Sequence, residues 1–327
     1  MEEYVRGIVQ NDRRIADVLE SRIVQNESTL PAEPDPAALT AADVEAVRKV
    51  ERGEALNEQE QIRLEAVVLP DLRPAFDIEA DSFAPLPANW SRLNDRKPTL
   101  TSLIKGVGRV DLTGHPSLTI AGTASVVASD LLMTNRHVAE HFADASGATL
   151  RFKPGMCASV DLKQEVRNTS SIVLQVVAPA VILQSWDIAL LRVAGFPTGV
   201  TPLPFSADAP AAVDGRLAAV VGYPLMVDSS SILAQIRIFR GVFFKKRLMP
   251  GTLRGFRTVE SFGAQVSALM HDCTTLGGNS GSPVLDVESG VVAGIHFAGK
   301  FLDMNFAVPS WELAKDARFS ESGVKFV

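Results

Sequence analysis

The sequence predicts a mostly β chain preceded by a small α-helical region, and three observations carry that reading. From about residue 101 onward, short apolar and β-branched runs recur between Gly, Pro and Asp, the texture of an all-β sandwich or barrel. Ahead of them, apolar residues fall at helical rather than alternating spacing. Hydrophobic residues make up 46% of the 327 positions and mean hydropathy is +0.13, enough for one large core or two smaller ones.

In chain order, Val5, Ile8, Val9, Ile15, Val18, Leu19 and Ile23 predict an amphipathic helix over 3–25. Residues 28–38 hold three prolines and read as a linker. Leu39-Thr40-Ala41-Ala42-Asp43 and Leu56-Asn57-Glu58-Gln59-Glu60 each place a capping residue three before an acid, which satisfies free amides at a helix start. They predict a helical pair, about 40–52 and 57–68, with Gly53 ending the first and Val44, Val47, Ile62, Leu64 and Val67 facing inward. The Pro-, Asp- and Asn-rich residues 70–98 mark a boundary between a helical region, 1–95, and a β domain, 96–327. Strand-like runs follow at Val107–Leu112, Ser117–Ala128, Val173–Val177, Leu217–Gly222, Ile232–Phe244 and Gly290–Phe297.

A net charge of −6 and a pI near 5.5 give no general attraction to nucleic acid or anionic membranes, so neither partner is expected. Lys245-Lys246-Arg247, with Arg254 and Arg257, is a local exception and reads as a solvated loop between strands. The N-terminus is charged with no apolar segment behind it, and no run approaches a membrane span. Cys157 and Cys273 are the only cysteines and are expected to be reduced. Together these features predict a cytoplasmic chain. No His/Cys spacing suits a metal, and no cofactor is expected.

The chemistry centres on Gly277-Gly278-Asn279-Ser280-Gly281-Ser282-Pro283-Val284. A serine between glycines suits a nucleophile projecting from a tight turn, where the amides of Gly278 and Ser280 can bind a developing oxyanion. A hydroxyl needs a base, and the base an orienting group. Among five histidines, His137 closes an apolar run, Leu131-Leu132-Met133-Thr134-Asn135-Arg136-His137. Asp187 interrupts an otherwise buried-looking segment, Trp186-Asp187-Ile188-Ala189-Leu190, and a buried carboxylate needs a partner. His141 and Ser282 are the rival base and rival nucleophile. His115 and His271 read as loop residues.

Thr134-Asn135-Arg136-His137-Val138, Trp186-Asp187-Ile188-Ala189-Leu190 and Gly277-Gly278-Asn279-Ser280-Gly281-Ser282-Pro283 resemble the three catalytic blocks of the trypsin-like (chymotrypsin-fold) serine peptidases. Gly294-Ile295-His296-Phe297-Ala298-Gly299 resembles their substrate-binding strand, and Asn305-Phe306-Ala307-Val308-Pro309 their last strand. The resemblance covers roughly the last two-thirds of the chain. It implies two six-stranded antiparallel β-barrels, about 101–200 and 210–310, with a C-terminal helix at about 311–319. It implies a serine endopeptidase acting on protein or peptide substrates through a His137/Asp187/Ser280 triad and an acyl-enzyme.

Thr275 and His296 match the pair that binds an acidic side chain in V8-like glutamyl endopeptidases. A similar pair holds glutamine in viral chymotrypsin-like cysteine peptidases. With Phe297 and Gly299 they form the candidate substrate-binding set, implying a preference for Glu or Gln (or Asp) before the scissile bond. Asn279 stands where trypsin has an aspartate that pairs with a new amine, so no activating cleavage is expected. Two alternatives remain: residues 1–95 bind a regulatory protein that controls the peptidase, or the fold is an inactive binding module.

Overall fold

The computed structural model describes residues 40–327, except 58, 62, 65–72, 145–149, 184, 228–231 and 300–303. The expected helix at 3–25, the prolines of 28–38, Ile62 and Val67 lie outside the described residues. Helix α1 (Ala41–Glu51) begins where the backbone N and Oγ1 of Thr40 both donate to Asp43 Oδ2, at 2.8 and 2.7 Å. Gly53, at φ 76°, follows its end. At the second capping box Asn57 N donates to Glu60 Oε2 at 3.0 Å, and Glu60 N to Asn57 Oδ1 at 2.9 Å. Residues 59–61 and 63–64 are helical. Val44, Val47 and Leu64 are buried, as their spacing predicted.

Two residues of strand, β1 (Phe76–Asp77), precede helix α2 (Lys97–Ile104). Then come β2 (Val107–Thr113), β3 (Ile120–Ala128), β4 (Leu131–Thr134), helix α3 (Arg136–Ala139), the small β5 (Ala143–Asp144) and β6 (Arg151–Phe152) pair, β7 (Cys157–Asp161), β8 (Val173–Ile182) and β9 (Ala189–Ala194). Strands β2-β3-β4-β9-β8-β7 close into a six-stranded barrel. In β8 the alternation is visible: Leu174 and Val176 are buried while Val173, Gln175 and Val177 are exposed.

The second sheet uses β10 (Leu217–Gly222), β11 (Arg247–Ser261), β12 (Ala264–His271), β13 (Pro283–Asp286), β14 (Val291–Gly299) and β15 (Asn305–Pro309). Its order is β1-β11-β10-β13-β14-β15-β12, and pairing of β11 with β12 turns it into a ring with β1 at its side. The C-terminal helix expected at 311–319 is two short helices, α5 (Ser310–Ala314) and α6 (Ala317–Ser320). Asp316 leaves the helical region between them at ψ 116° and its carboxylate accepts Arg318 N, starting the second.

Three features differ from the sequence reading. Residues 232–239 form helix α4 (Ile232–Phe239), not the expected strand. Its isoleucines favour β structure, but the buried residues Ala234, Ile238 and Phe239 follow the helical period, and tertiary packing decides such short apolar runs. The basic trio is not a solvated loop: Lys246 and Arg247 are fully buried. Lys246 Nζ donates to Leu162 O at 2.7 Å and Ile104 O at 3.1 Å and lies 3.5 Å from Glu165, while Arg247 pairs with Asp77 of β1. His271 is no loop residue, since it ends β12 and is buried.

The chain divides into two compact units, Met1–Ala75 with Met226–Phe243, and Phe76–Leu225 with Phe244–Val327. The second therefore begins ahead of the 95/96 boundary expected from composition, because Ile78, Phe83, Leu86 and Leu93 join the same core as Leu248 and Leu285. In the first unit α1 and α4 meet through Asp43 and Arg237, whose Oδ2 and Nη2 are 2.8 Å apart, both buried. Two residues back, the Gln235 amide brackets Val227 with two 3.0 Å hydrogen bonds to its N–H and C=O.

Candidate active site

Register brings the first two candidates together. Thr134 of β4 pairs with Ala189 of β9, so the chain leaves one strand beside the point where it enters the other. Asn135, at the start of α3, donates its amide to Asp187 O at 2.8 Å. Asp187 is buried, and His137 supplies both donors to its carboxylate: the backbone N to Oδ1 at 3.0 Å, and Nδ1 to Oδ2 at 2.6 Å. A carboxylate so held fixes the ring in one orientation and one tautomer. Nε2 is left to exchange protons, and the His137 side chain keeps 37% of its exposure.

Ser280 comes from the turn between β12 and β13. Each carbonyl across this turn has a partner. Leu225 N donates to Gly277 O at 2.7 Å, Thr123 Oγ1 to Gly278 O at 2.8 Å, and Ser282 N to Asn279 O at 2.9 Å. Gly278 sits at φ +83°, open to glycine at little strain, and a Cβ there would run into Tyr223 O. Among the described residues no acceptor takes the N–H of Gly278 or of Ser280. Those two amides are the ones the sequence marks as oxyanion donors.

The turn lies against the first barrel at β3. Thr123 N donates to Ser280 O at 2.8 Å. A Cβ on Gly122 would stand 2.8 Å from Ser280 O and 2.9 Å from Val138 Cγ2, so this glycine fits between the serine turn and the helix bearing His137. Among the described residues no hydrogen bond joins Ser280 Oγ to the imidazole; such contacts are commonly looser without substrate and tighten in its complex. The rivals fare worse. Ser282 is fully buried. The His141 ring packs edge-on against His115, 5.5 Å between centroids, and burial, with the charges of His115 and His137, lowers its pKa.

The candidate specificity residues form a hydrogen-bonded set that the sequence only half disclosed. Thr275 Oγ1 donates to Asn305 Oδ1 at 2.6 Å, and Asn305 Nδ2 donates to Cys273 O at 2.7 Å. His296, on β14, is tied to the nucleophile turn, its N to Ser282 O and its O to Gly281 N, both at 2.9 Å. Its Nδ1 lies 3.2 Å from His271 Nε2, and both rings are buried. Burial first, then the neighbouring His271 and His137, push the His296 pKa well below the ordinary imidazole value. Phe297 packs partly buried against the core, and Gly299 pairs with Asn305 across β14–β15. His271 and Asn305 escaped the sequence reading as site residues; the signal for His271 was its place at the end of the alternating run from Ala264.

Among the described residues no group of three or more His, Cys, Asp or Glu could hold a metal ion, and no helix is long and apolar enough to cross a membrane.

A closed six-stranded barrel, a second ringed sheet and a Gly-Asn-Ser-Gly turn beside a His–Asp pair define the chymotrypsin-like class of mostly β folds. The family model described as trypsin-like peptidase domain matches residues 122–295, more than half of the chain, and the chain belongs to that family. That membership supports serine endopeptidase activity on peptide or protein substrates. Among solved structures, the chain is similar to Deg5 at 19% identity, over 74% of this chain and 100% of that one, with a TM-score of 0.51. It is also similar to the active form of the M. tuberculosis protease Rv3671c, at 18% identity over 77% and 95% with a TM-score of 0.49. A third is the HtrA-type protease AlgW with a decapeptide, at 16% identity over 69% and 67% with a TM-score of 0.46. No curated protein matches the chain.

Proposed function

We propose that the chain is a serine endopeptidase in which Ser280 Oγ attacks the scissile carbonyl, His137 Nε2 takes its proton and returns it to the leaving amine, and Asp187 stabilises the imidazolium. The amides of Gly278 and Ser280 receive the oxyanion, and water then hydrolyses the acyl-enzyme by the same route. The observation that carries this reading is the two-point hold of Asp187 on His137, at 3.0 and 2.6 Å. The unaccepted amides and their tied carbonyls support an oxyanion site formed without activating cleavage. Asn279 supports it too, since it is buried and neutral and bonds Leu276 O at 3.3 Å. A serine-directed phosphonate probe should label the full chain and fail to label Ser280→Ala; equal labelling of both would end this reading.

For the residue before the scissile bond, the hydrogen bonds favour glutamine over glutamate or aspartate. Asn305 gives its amide N–H to Cys273 and so accepts the Thr275 proton, leaving Thr275 Oγ1 only lone pairs to offer. His296 is held neutral. With His271 Nε2–H donating to His296 Nδ1, the His296 Nε2–H and one hydroxyl lone pair match a carboxamide, which accepts at oxygen and donates at nitrogen; a carboxylate would meet the lone pair with its own. Cleavage of a peptide library after Lys or Arg and not after Gln or Glu would remove this assignment.

A second reading, that the helical unit regulates the peptidase, is favoured by one observation. That unit includes 226–243, which continues directly from Leu225, the residue whose N–H holds Gly277 O. A protein partner acting on residues 1–95 would then reach the nucleophile turn through this insertion. Activity of the full chain that rises on adding a partner, and no longer does so in Gln235→Ala, is the expected sign; an unchanged response in that variant would count against it.

A further inference from the structure

Two of the three carbonyls across the nucleophile turn are held by backbone N–H groups. The middle one, Gly278 O, is held by a side chain from the other sheet, Thr123 Oγ1 at 2.8 Å. A peptide plane sets its N–H opposite its C=O. Holding Gly277 O and Asn279 O therefore aims the amides of Gly278 and Ser280 together. The plane between them, carrying Gly278 O, is flanked by both. If it rotated, ψ at Gly278 and φ at Asn279 would change, and unless the two changes cancelled, the flanking planes and their two amides would diverge. Gly278, without a Cβ, offers little intrinsic resistance.

The N–H edge of that plane donates to Leu276 O at 3.2 Å, and Thr123 holds its oxygen edge with the shorter bond. Thr123 is fully buried, so water does not compete for Gly278 O. Its N–H holds Ser280 O at 2.8 Å, and its own carbonyl accepts Thr134 Oγ1 at 2.7 Å. Tyr223 N donates to Thr123 Oγ1 at 3.3 Å, so the hydroxyl receives one hydrogen bond and its proton is directed at Gly278 O. One residue of β3 thus holds the backbone oxygens on both sides of Asn279.

We propose that Thr123 is a positioning residue for the oxyanion site: its hydroxyl locks the Gly278–Asn279 peptide so that the Gly278 and Ser280 amides converge before substrate arrives. This rests on the reading of those amides as oxyanion donors. Thr123 touches neither substrate nor the reacting atoms, so its effect falls on the transition state and not on ground-state binding.

The test compares full-length Thr123→Val, which keeps the shape and loses the hydroxyl, with Thr123→Ser, which keeps the hydroxyl. Each is assayed for kcat and KM on one cleaved peptide, for inhibition by a peptide aldehyde whose adduct carries an oxyanion, and for binding of the product peptide. Losing one oxyanion donor costs about 100- to 1,000-fold in rate, so misaligning donors that remain should lower kcat by about 10- to 100-fold. Val is expected to weaken the aldehyde by the same factor, leave KM and product binding within about twofold, and be rescued by Ser to within about threefold. Wild-type kcat and aldehyde affinity in Val, or Ser as impaired as Val, would overturn the proposal. If Val melts early, Thr123→Ala against Thr123→Ser gives the same comparison. Wild type and Ser280→Ala run beside them: no hydrolysis by wild type, or hydrolysis by Ser280→Ala, sinks the peptidase reading itself, whatever Thr123 does.

Discussion

Asp187 and Asp43 are both buried carboxylates, each held by basic side chains from elsewhere in the sequence, His137 for Asp187 and Arg237 with Arg63 for Asp43. The resemblance stops there. The partner of Asp187 is an imidazole that can gain and lose a proton and keeps part of its surface open. The partners of Asp43 are guanidinium groups, buried Arg237 and the more exposed Arg63, which stay charged at any pH a protein tolerates. Burial works against the Asp43 charge, but the donors Arg237 and Thr40 outweigh it and hold its pKa below the ordinary carboxylate value. A buried acid becomes chemical when its partner can titrate and reach outside; otherwise it is a fastening.

The sharpest way to break that contrast is to remove one charge from each site. Asp187→Asn keeps the shape but reverses the tautomer demanded of His137, and kcat should fall by about 10,000-fold with little change in melting temperature. A loss under tenfold in a steady-state assay would move Asp187 to the structural side. Asp43→Asn removes the carboxylate facing Arg237, so the helical unit should lose about 3–5 kcal/mol by hydrogen exchange, with Ser280 still labelled by a phosphonate. Exchange unchanged at α1 and α4 would show that the pair holds nothing.

A smaller effect is expected at the specificity pair. His271→Phe removes the ring bonded to His296, and preference for Gln over Glu should drop by about tenfold with kcat on a good substrate nearly kept. Because His296 stays neutral, the wild-type Gln/Glu ratio should be flat from about pH 5.5 to 8. A ratio that swings toward Glu on acidification would assign His296 a charge.

The smallest effect concerns pH. The Asp43 pKa is depressed in the fold, so its stabilisation is present above the unfolded value of 3.8 and is lost as pH falls through the folded one. Lys246 gives the same sign at the other end of the pH scale, for the opposite reason: the fold disfavours its charge. Burial lowers its pKa from 10.5 to about 8, against the pull of Glu165, so the unfolded chain binds the extra proton between those values and stability rises with pH there. Lys246→Met should flatten denaturation curves in that window; an unchanged slope would refute the assignment.

What could be read from the sequence was what local chemistry encodes. The capping boxes at Thr40–Asp43 and Asn57–Glu60 need only four residues each, and both form as their pattern implied. The β runs and the Gly-Asn-Ser-Gly turn were equally visible, and the first barrel closed as expected. What escaped depends on distant partners. Ile232–Phe239 has the composition of a strand and becomes a helix. Lys246 and Arg247 look solvated until Glu165 and Asp77 are brought to them. Thr123 and Asn305 carry no local mark, because the groups they bind lie 155 and 30 residues away, and the alternating run that ends at His271 does not disclose its partner 25 residues on.

The ion pair of α1 and α4 joins residues 194 apart. On the ribosome, Asp43 emerges long before Arg237 exists. At about 5–20 residues per second the first helix waits about 10–40 s for the guanidinium that completes its unit. The pair that fastens α1 is therefore completed only after the whole first barrel has been synthesised, and a nascent-chain chaperone would find Asp43 without Arg237 throughout that delay.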